Sequence, residues 1–332
     1  MICKKINFFR NKVFRLETDF LEVRLIYIYH HNDFLLHDPG ATHPENADRV
    51  NVILAALSIA PIHYKLLYKS APLGTNAQVL LAHSAAHLAL VLTSVPAEGR
   101  HALDSDTVLS TGSLTAALRG VGAACKGVDD LISGLTTHAF CLSRPPGHHA
   151  TPTRSMGFCI FNNIVIAAQY AQQKYQIQRV AIVDFDVHHG NGTQDALTGK
   201  PGMMYLSTHQ SPLYPGTGTI SENRPGNICN VPLAVGTGDK AYQEIFSTQI
   251  MSQLNLFKPQ LLLVSAGFDA HERDPLGGLA LTADTYLWLG QQLRLLADKY
   301  CGGKLLSVLE GGYNLDVLSR SVEAYLEGSI SP

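Results

Sequence analysis

The sequence predicts a three-layer α/β domain, with helices on both faces of a mainly parallel central sheet. Three observations carry that prediction. Short, mostly apolar runs recur along the chain, amphipathic helical patterns fill the intervals, and glycines and prolines gather in short loops that follow the runs. With 332 residues, of which 46% are hydrophobic and 16% charged, the chain can bury a substantial core, and no Pro/Gly/Ser-rich linker or internal repeat divides it.

The predicted strands cover 23–29, 138–143, 180–185, 203–207, 261–266 and 305–309. Their apolar character on both sides of the alternation suits strands covered on two faces. Val50, Ile53, Leu54 and Leu57 fall at i, i+3, i+4 and i+7 and predict a helix. Tyr286, Leu289, Gly290, Leu293, Leu296 and Ala297 keep the same period behind Thr282, a candidate N-cap. In sheets of this kind ligands bind beyond the carboxyl ends of the strands, so the loops after the apolar runs are where chemistry is expected.

Charge and cysteine usage exclude several classes. Lys and Arg number 25 against 27 Asp and Glu, a formal net charge of −2, which leaves no basic excess to hold nucleic-acid phosphates. The six cysteines form no C-x-x-C pair and read as reduced thiols of a cytosolic-type protein. The basic N-terminus is interrupted by Arg10, Lys12, Arg15 and Glu17, so no signal-peptide core is expected, and no apolar run approaches the roughly 20 residues that cross a bilayer. The expectation is a soluble, cytoplasmic protein without direct membrane or nucleic-acid partners; nothing in the sequence indicates its oligomeric state.

The run 180–185 leads into Asp184-Phe185-Asp186-Val187-His188-His189-Gly190-Asn191-Gly192. In an extended chain Asp184, Asp186 and His188 point to one side, and Asp186 with His188 makes half a metal site. Loop capping uses the same residue types, so this segment alone leaves the choice open. The run 261–266 then delivers Asp269 to a strand's carboxyl edge, where it would complete an Asp-His-Asp set. Three protein ligands with an open fourth position describe a catalytic zinc site. Arg144-Pro145-Pro146-Gly147-His148-His149 presents two adjacent imidazoles on a stiffened loop, as candidate acid–base groups. After the run 305–309, Glu310-Gly311-Gly312-Tyr313 has the backbone freedom to bring the Tyr313 hydroxyl over the metal.

These segments resemble the zinc-dependent histone deacetylase family, in the class II and bacterial deacetylase-like branch that includes acetylpolyamine amidohydrolases. Further matching stretches are His37-Asp38, His43-Pro44-Glu45 with Arg49, Leu103-Asp104-Ser105-Asp106-Thr107, Gly157-Phe158-Cys159-Ile160-Phe161-Asn162, Tyr214-Pro215-Gly216-Thr217-Gly218, and 266–277. The resemblance implies an arginase/deacetylase α/β fold over residues 22–332, with 1–21 as an N-terminal extension. It implies zinc held by Asp186, His188 and Asp269, His149 as general base and then acid, and His148 as an electrostatic helper. Asp184 would orient His148, Asn191 would orient His149, and Tyr313 would donate to the substrate oxyanion. Asn191 stands where other branches carry Asp, which should lower the pKa of His149. Gly157 and Phe158 would form one wall of an acyl-lysine tunnel and Tyr214 the other, with Asp104, or alternatively Asp106, as a rim carboxylate. A potassium site would use Asp184, the Asp186 and His188 carbonyls and the Ser207 hydroxyl.

The activity implied is removal of acetyl groups from lysine side chains of proteins or peptides; the close alternative is hydrolysis of acetylpolyamines. Leu276, after Asp274-Pro275, stands where the polyamine-selective branch carries a carboxylate, and an apolar gate suits an acyl-lysine stem better than a second cation. A silent acetyl-lysine binder would be expected to lack a ligand or the tyrosine. A two-manganese hydrolase should show more carboxylates near Asn191 and His189, and a non-haem iron oxygenase prefers two His and one carboxylate.

Overall fold

The computed structural model describes residues 25–330. The expected N-terminal extension 1–21, the start of the first predicted strand at 23–24, and Cys3 lie outside the described residues. In chain order the elements are β1 (Ile26–His30), α1 (Asp48–Ile59), β2 (Leu66–Ser70), α2 (Asn76–Val79), α3 (Ala85–Ser94), β3 (Arg100–Ala102), β4 (Val108–Ser110), α4 (Ser113–Ile132), β5 (His138–Cys141) and α5 (Asn163–Tyr175). They continue with β6 (Val180–Asp184), α6 (Asn191–Leu197), β7 (Met203–Gln210), β8 (Ile228–Leu233), α7 (Asp239–Ile245), α8 (Met251–Phe257), β9 (Leu261–Ala266), α9 (Ala283–Tyr300), β10 (Leu305–Leu309) and α10 (Leu315–Ile330).

Eight strands form one sheet in the order β2-β1-β5-β10-β9-β6-β7-β8, and every neighbouring pair is parallel. Alternate residues feed two separate cores. Ile28, Phe140, Val183, Leu206, Val264 and Leu309 face one in which α1, α9 and α10 pack. Tyr29, Cys141, Ile182, Tyr205, Leu263 and Val308 face the other, closed by α4 and α5. Fully parallel strands buried on both faces therefore account for the continuous apolar runs. The helix carrying Val50, Ile53 and Leu57 forms as expected, with Leu54 half-buried at its margin, and Thr282 caps α9 by accepting from Asp284 N.

Three strand features depart from the expectation. β2 shows three of its five residues to solvent, and β8 contains Asn230 and Pro232; both are edge strands, where polarity and a missing donor are tolerated. The exposed β3 and its partner β4 form a small antiparallel pair outside the main sheet. β7 runs on through Thr208, His209 and Gln210, buried polar residues that an apolar pattern stops short of.

One buried ionic cluster ties the loops above the sheet. Glu45 takes Arg49 Nη1 at 3.1 Å, Arg144 Nη2 at 2.9 Å and His37 Nε2 at 3.4 Å, and the Glu45, Arg49 and Arg144 side chains are wholly excluded from water. Arg144 also donates to Phe34 O, and Arg49 to Gly312 O at 2.7 Å, so the cluster joins the loop before α1 to those after β5 and β10. Burial alone would raise the Glu45 carboxyl, but Arg144, helped by His37 and Arg49, overrides it and holds the group well below the carboxylate range. A depressed carboxylate stabilises the fold above its unfolded pKa of roughly 4.3 and loses that contribution as the pH falls.

Glu45→Gln should therefore lower unfolding free energy by about 3–5 kcal/mol, because it leaves two guanidinium groups buried without their counter-charge. Urea unfolding at neutral pH measures this, and a loss below about 1 kcal/mol would assign the cluster a minor role. The gap between parent and variant should close as the pH is lowered.

Candidate metal centre and its surroundings

The four central strands β5, β10, β9 and β6 end side by side, and each delivers one segment to the same edge. β6 delivers Asp184 to Asn191, β9 delivers Asp269, β5 delivers His148 and His149, and β10 delivers Glu310 to Tyr313.

Asp186, His188 and Asp269 converge, with one ligand atom from each lying within 4.8 Å of the others. His188 Nδ1 is 3.1 Å from Asp186 Oδ1 and 3.1 Å from Asp269 Oδ2. The chain does not stay extended as expected: β6 ends at Asp184, and 186–188 form a bend in which His188 N donates to Asp186 Oδ1. The bend still points both side chains at one place. Backbone amides fix the carboxylates, Gly311 N donating to Asp186 Oδ2 at 2.8 Å and Val187 N to Asp269 Oδ1 at 2.8 Å. A Cβ at Gly311 would lie 2.1 Å from Asp269 Oδ2, so only glycine lets β10's loop close over the pair. Burial and the charge of Asp186 push the Asp269 carboxyl up to about 7. Two carboxylates sharing a dry site relieve that repulsion by binding a cation, and two carboxylate oxygens with one imidazole suit zinc.

Beside them His148 Nδ1 donates to Asp184 Oδ2 at 3.0 Å, and Tyr205 Oη donates to the same oxygen at 3.0 Å. Burial draws the His148 pKa down, but Asp186 and Asp184 outweigh it and set it at about 10, so the ring is charged at neutral pH. His149 Nδ1 donates to Asn191 Oδ1 at 2.9 Å, which leaves Nε2 as the basic nitrogen. Burial, then His148 and His188, hold His149 well below 6.5; the hydrogen bond to Asn191 acts the other way, so burial and the neighbouring histidines, not the amide partner, lower it. Tyr313 lies under Arg49, whose Cζ is 4.9 Å from the ring centroid, and burial keeps its phenol protonated.

Phe158 and Tyr214 flank this group. The Phe158 ring meets Tyr313 at 5.8 Å and His43 at 4.5 Å, both edge-on, and Tyr214 meets His149 at 5.1 Å and His188 at 6.3 Å. Gly157 and Phe158 both adopt left-handed backbone, φ +57° and +68°, and a Cβ on Gly157 would strike the His149 ring at 2.5 Å. Asp104 Oδ1 caps its own loop, accepting from Asp106 N and Thr107 N, whereas Asp106 Oδ1 accepts from Gly157 N at 3.1 Å. Leu276 is half-buried in a loop fixed by Asp274, which takes the amides of Leu276, Tyr313 and Asn314. Ser207 stands beside Asp184 in sheet register, with Oγ 2.9 Å from His209 Nδ1.

Sequence reasoning left roles of several residues unread. Glu310 is fully buried and accepts from Gly147 N at 2.6 Å, His148 N at 3.1 Å and Ser265 Oγ at 3.0 Å, so its carboxylate anchors the two-histidine loop. Its place at a strand end was the available signal. Asp274 and Tyr205 act through contacts more than 20 residues away in sequence, which no local pattern shows.

Fold and site together define a buried Asp-His-Asp cluster able to hold a metal ion, beside two adjacent histidines, at the carboxyl edge of a parallel sheet. Residues 43–329 match the family described as Histone deacetylase domain, and the chain belongs to that family. It is 46% identical over 221 residues to histone deacetylase 14, chloroplastic, of Arabidopsis thaliana, covering 65% of this chain and 51% of that protein. The chain thus spans about half the length of that relative. It is 35% identical to a probable deacetylase of Archaeoglobus fulgidus, over 87% of this chain and 81% of the other, and 35% identical to a histone deacetylase-like amidohydrolase of Pseudomonas aeruginosa, over 83% and 73%. Among solved structures it resembles the HDA15 HD domain, with a TM-score of 0.86 at 35% identity, over 92% of this chain and 90% of that one.

Asp269→Ala should abolish stoichiometric metal retention, since two remaining ligands do not hold a tetrahedral ion. Elemental analysis of the purified variant decides it, and one zinc per chain would remove Asp269 from the ligand set.

Proposed function

We propose that this chain, with 22–332 as one catalytic domain, is a zinc-dependent amidohydrolase that removes acetyl groups from lysine side chains of proteins or peptides. The observation that carries this reading is the buried Asp186-His188-Asp269 cluster facing two adjacent histidines with different partners, one a carboxylate and one an amide. When bound, zinc would polarise the amide carbonyl and activate water. His149, its Nδ1 proton committed to Asn191, offers Nε2 to take the proton of the attacking water and then pass it to the leaving amine. His148, charged through Asp184 and Asp186, stabilises negative charge that grows on the substrate. The Tyr313 phenol, kept protonated by burial, would donate to the same oxygen, and Phe158 and Tyr214 would supply apolar walls for the four-carbon lysine stem. A structural potassium ion on Asp184, the Asp186 and His188 carbonyls and Ser207 belongs to the same proposal, supported by the register that sets Asp184 beside Ser207. A reducing, cytoplasmic setting is consistent with the free cysteines at 125, 141, 159, 229 and 301.

Hydrolysis of acetylpolyamines is the second reading. Asp104 and Asp106 favour it, because paired carboxylates beside Gly157 suit a distal ammonium. The half-buried apolar Leu276 favours acyl-lysine.

Tyr313→Phe should lower kcat by about 10²–10³ with KM largely kept, the signature of a lost oxyanion donor. A loss under about threefold would make Tyr313 a packing residue.

The ratio of kcat/KM for an acetyl-lysine peptide to that for N8-acetylspermidine should exceed one. Leu276→Glu should shift it toward the polyamine by about tenfold, equivalent to about 1.4 kcal/mol, chiefly through the polyamine's KM. A parent ratio below one would overturn the lysine reading in favour of the polyamine enzyme.

A further inference from the structure

Behind the Phe158 wall, away from the metal ligands, lies a buried imidazole that the reaction does not use. His83 precedes α3 and is only 4% exposed. Its Nδ1 lies 2.9 Å from Thr151 O and its Nε2 accepts from Asn162 N at 2.8 Å. One nitrogen faces a carbonyl and the other an amide N–H, so the ring must be neutral with its proton on Nδ1. This single side chain joins the two ends of the loop 151–162. The next residues reinforce it: Ser84 N donates to Pro152 O at 2.8 Å, and His87 Nε2 donates to Ile160 O at 3.2 Å.

Between those ends the loop carries three groups that touch the site. Gly157 runs so close to the His149 ring that a Cβ there would come within 2.5 Å of it, Met156 Sδ takes a hydrogen bond from Asn191 Nδ2 at 3.3 Å, and Phe158 forms the wall. A left-handed phenylalanine is unfavourable on its own and persists only where its surroundings impose it. Asp106 and Thr107 hold the loop from the front through the Gly157 and Phe158 amides, and His83 holds it from behind.

We propose that His83 is a positioning residue: as the Nδ1–H tautomer it clamps the loop 151–162 and thereby sets both the Phe158 wall and the lateral position of His149. The inference rests on the active-site reading above, because it assigns Phe158 to substrate binding and His149 to proton transfer. Burial, with the adjacent His87 ring at 4.9 Å, lowers the His83 pKa to about 3 despite the Thr151 carbonyl, so the clamp keeps one tautomer through the neutral range.

Two measurements test it. Nitrogen-15 NMR of the imidazoles in the intact, zinc-loaded protein should show a ring, lost on His83→Gln substitution and distinct from that of His149, which is protonated at Nδ1 only and does not titrate between pH 5 and 8. A His83 ring that is protonated at Nε2, or that titrates near 6.5, overturns the clamp without any activity assay. Next, His83→Ala should keep stoichiometric zinc but raise KM by about fivefold or more while lowering kcat, with whichever acetylated amine the parent hydrolyses. His83→Gln, whose amide offers both a donor and an acceptor, should recover kcat/KM to within about threefold. Partial unfolding would lower kcat alone at constant KM, so an unchanged KM, or a Gln variant as impaired as the Ala variant, overturns the proposal; an Ala variant that fails to fold leaves the tautomer and Gln results to decide. Failure of the zinc-loaded parent on both substrate classes would instead refute the catalytic reading and leave the tautomer result standing.

Discussion

Asp186 and Asp269 place two carboxylates in a space with no solvent, and much of the surrounding structure answers that electrostatic demand. Neither oxygen pair can be left bare in a medium of low dielectric. The chain supplies main-chain amides from Gly311 and Val187, an imidazole from His188, and a charged His148 one step further out. The partners arrive from three strand ends, Val187 and His188 from β6, Gly311 from β10 and His148 from β5. The parallel sheet, with its central four strands terminating together, is the arrangement that lets so many donors meet around two acids.

The same demand repeats in the adjoining layer. Glu310 is buried without a guanidinium of its own and is met by two consecutive amides and a serine hydroxyl, which also hold the histidine loop. Glu45 is met by two arginines that reach on to main-chain carbonyls of Gly312 and Phe34. Satisfying buried acids and shaping the loops around the metal-binding candidate are therefore one task. The two histidines diverge with their surroundings: the charges of Asp186 and Asp184 raise the His148 pKa, whereas burial and His148 itself lower that of His149.

Much of this was legible in the sequence because its signals were local. Apolar runs bounded by Gly and Pro marked the six strands from β1, β5, β6, β7, β9 and β10, and those are the strands buried on both faces. The Asp-His-Asp cluster was readable because strand ends concentrate polar residues in short segments, so Asp186, His188 and Asp269 stood out against apolar neighbours. Edge strands escaped because β2 and β8 carry solvent-facing or ladder-breaking residues such as Lys69 and Pro232. Asp104 showed the limit of a motif: the residue was found, but only the backbone reveals that one of its oxygens is spent on its own loop while Asp106 reaches Gly157. His83 was invisible for a different reason, since its importance lies in which two backbone groups flank the ring.

The position of β10 has a consequence for how the chain acquires its shape during synthesis. The last described strand does not extend the sheet at an edge; it inserts between β5, which ends at Cys141, and β9, which opens at Leu261, 120 positions further on. Until residues 305–309 leave the ribosome, the half of the sheet bearing the histidine loop and the half bearing the Asp-His-Asp cluster lack the strand that bridges them. Nascent chains must therefore wait with two apolar sheet edges open, a state prone to wrong pairing and suited to chaperone binding. Such long-range closure is intrinsically slow, so the histidine loop after β5 and the Asp-His-Asp cluster after β6 and β9 are brought together late in folding.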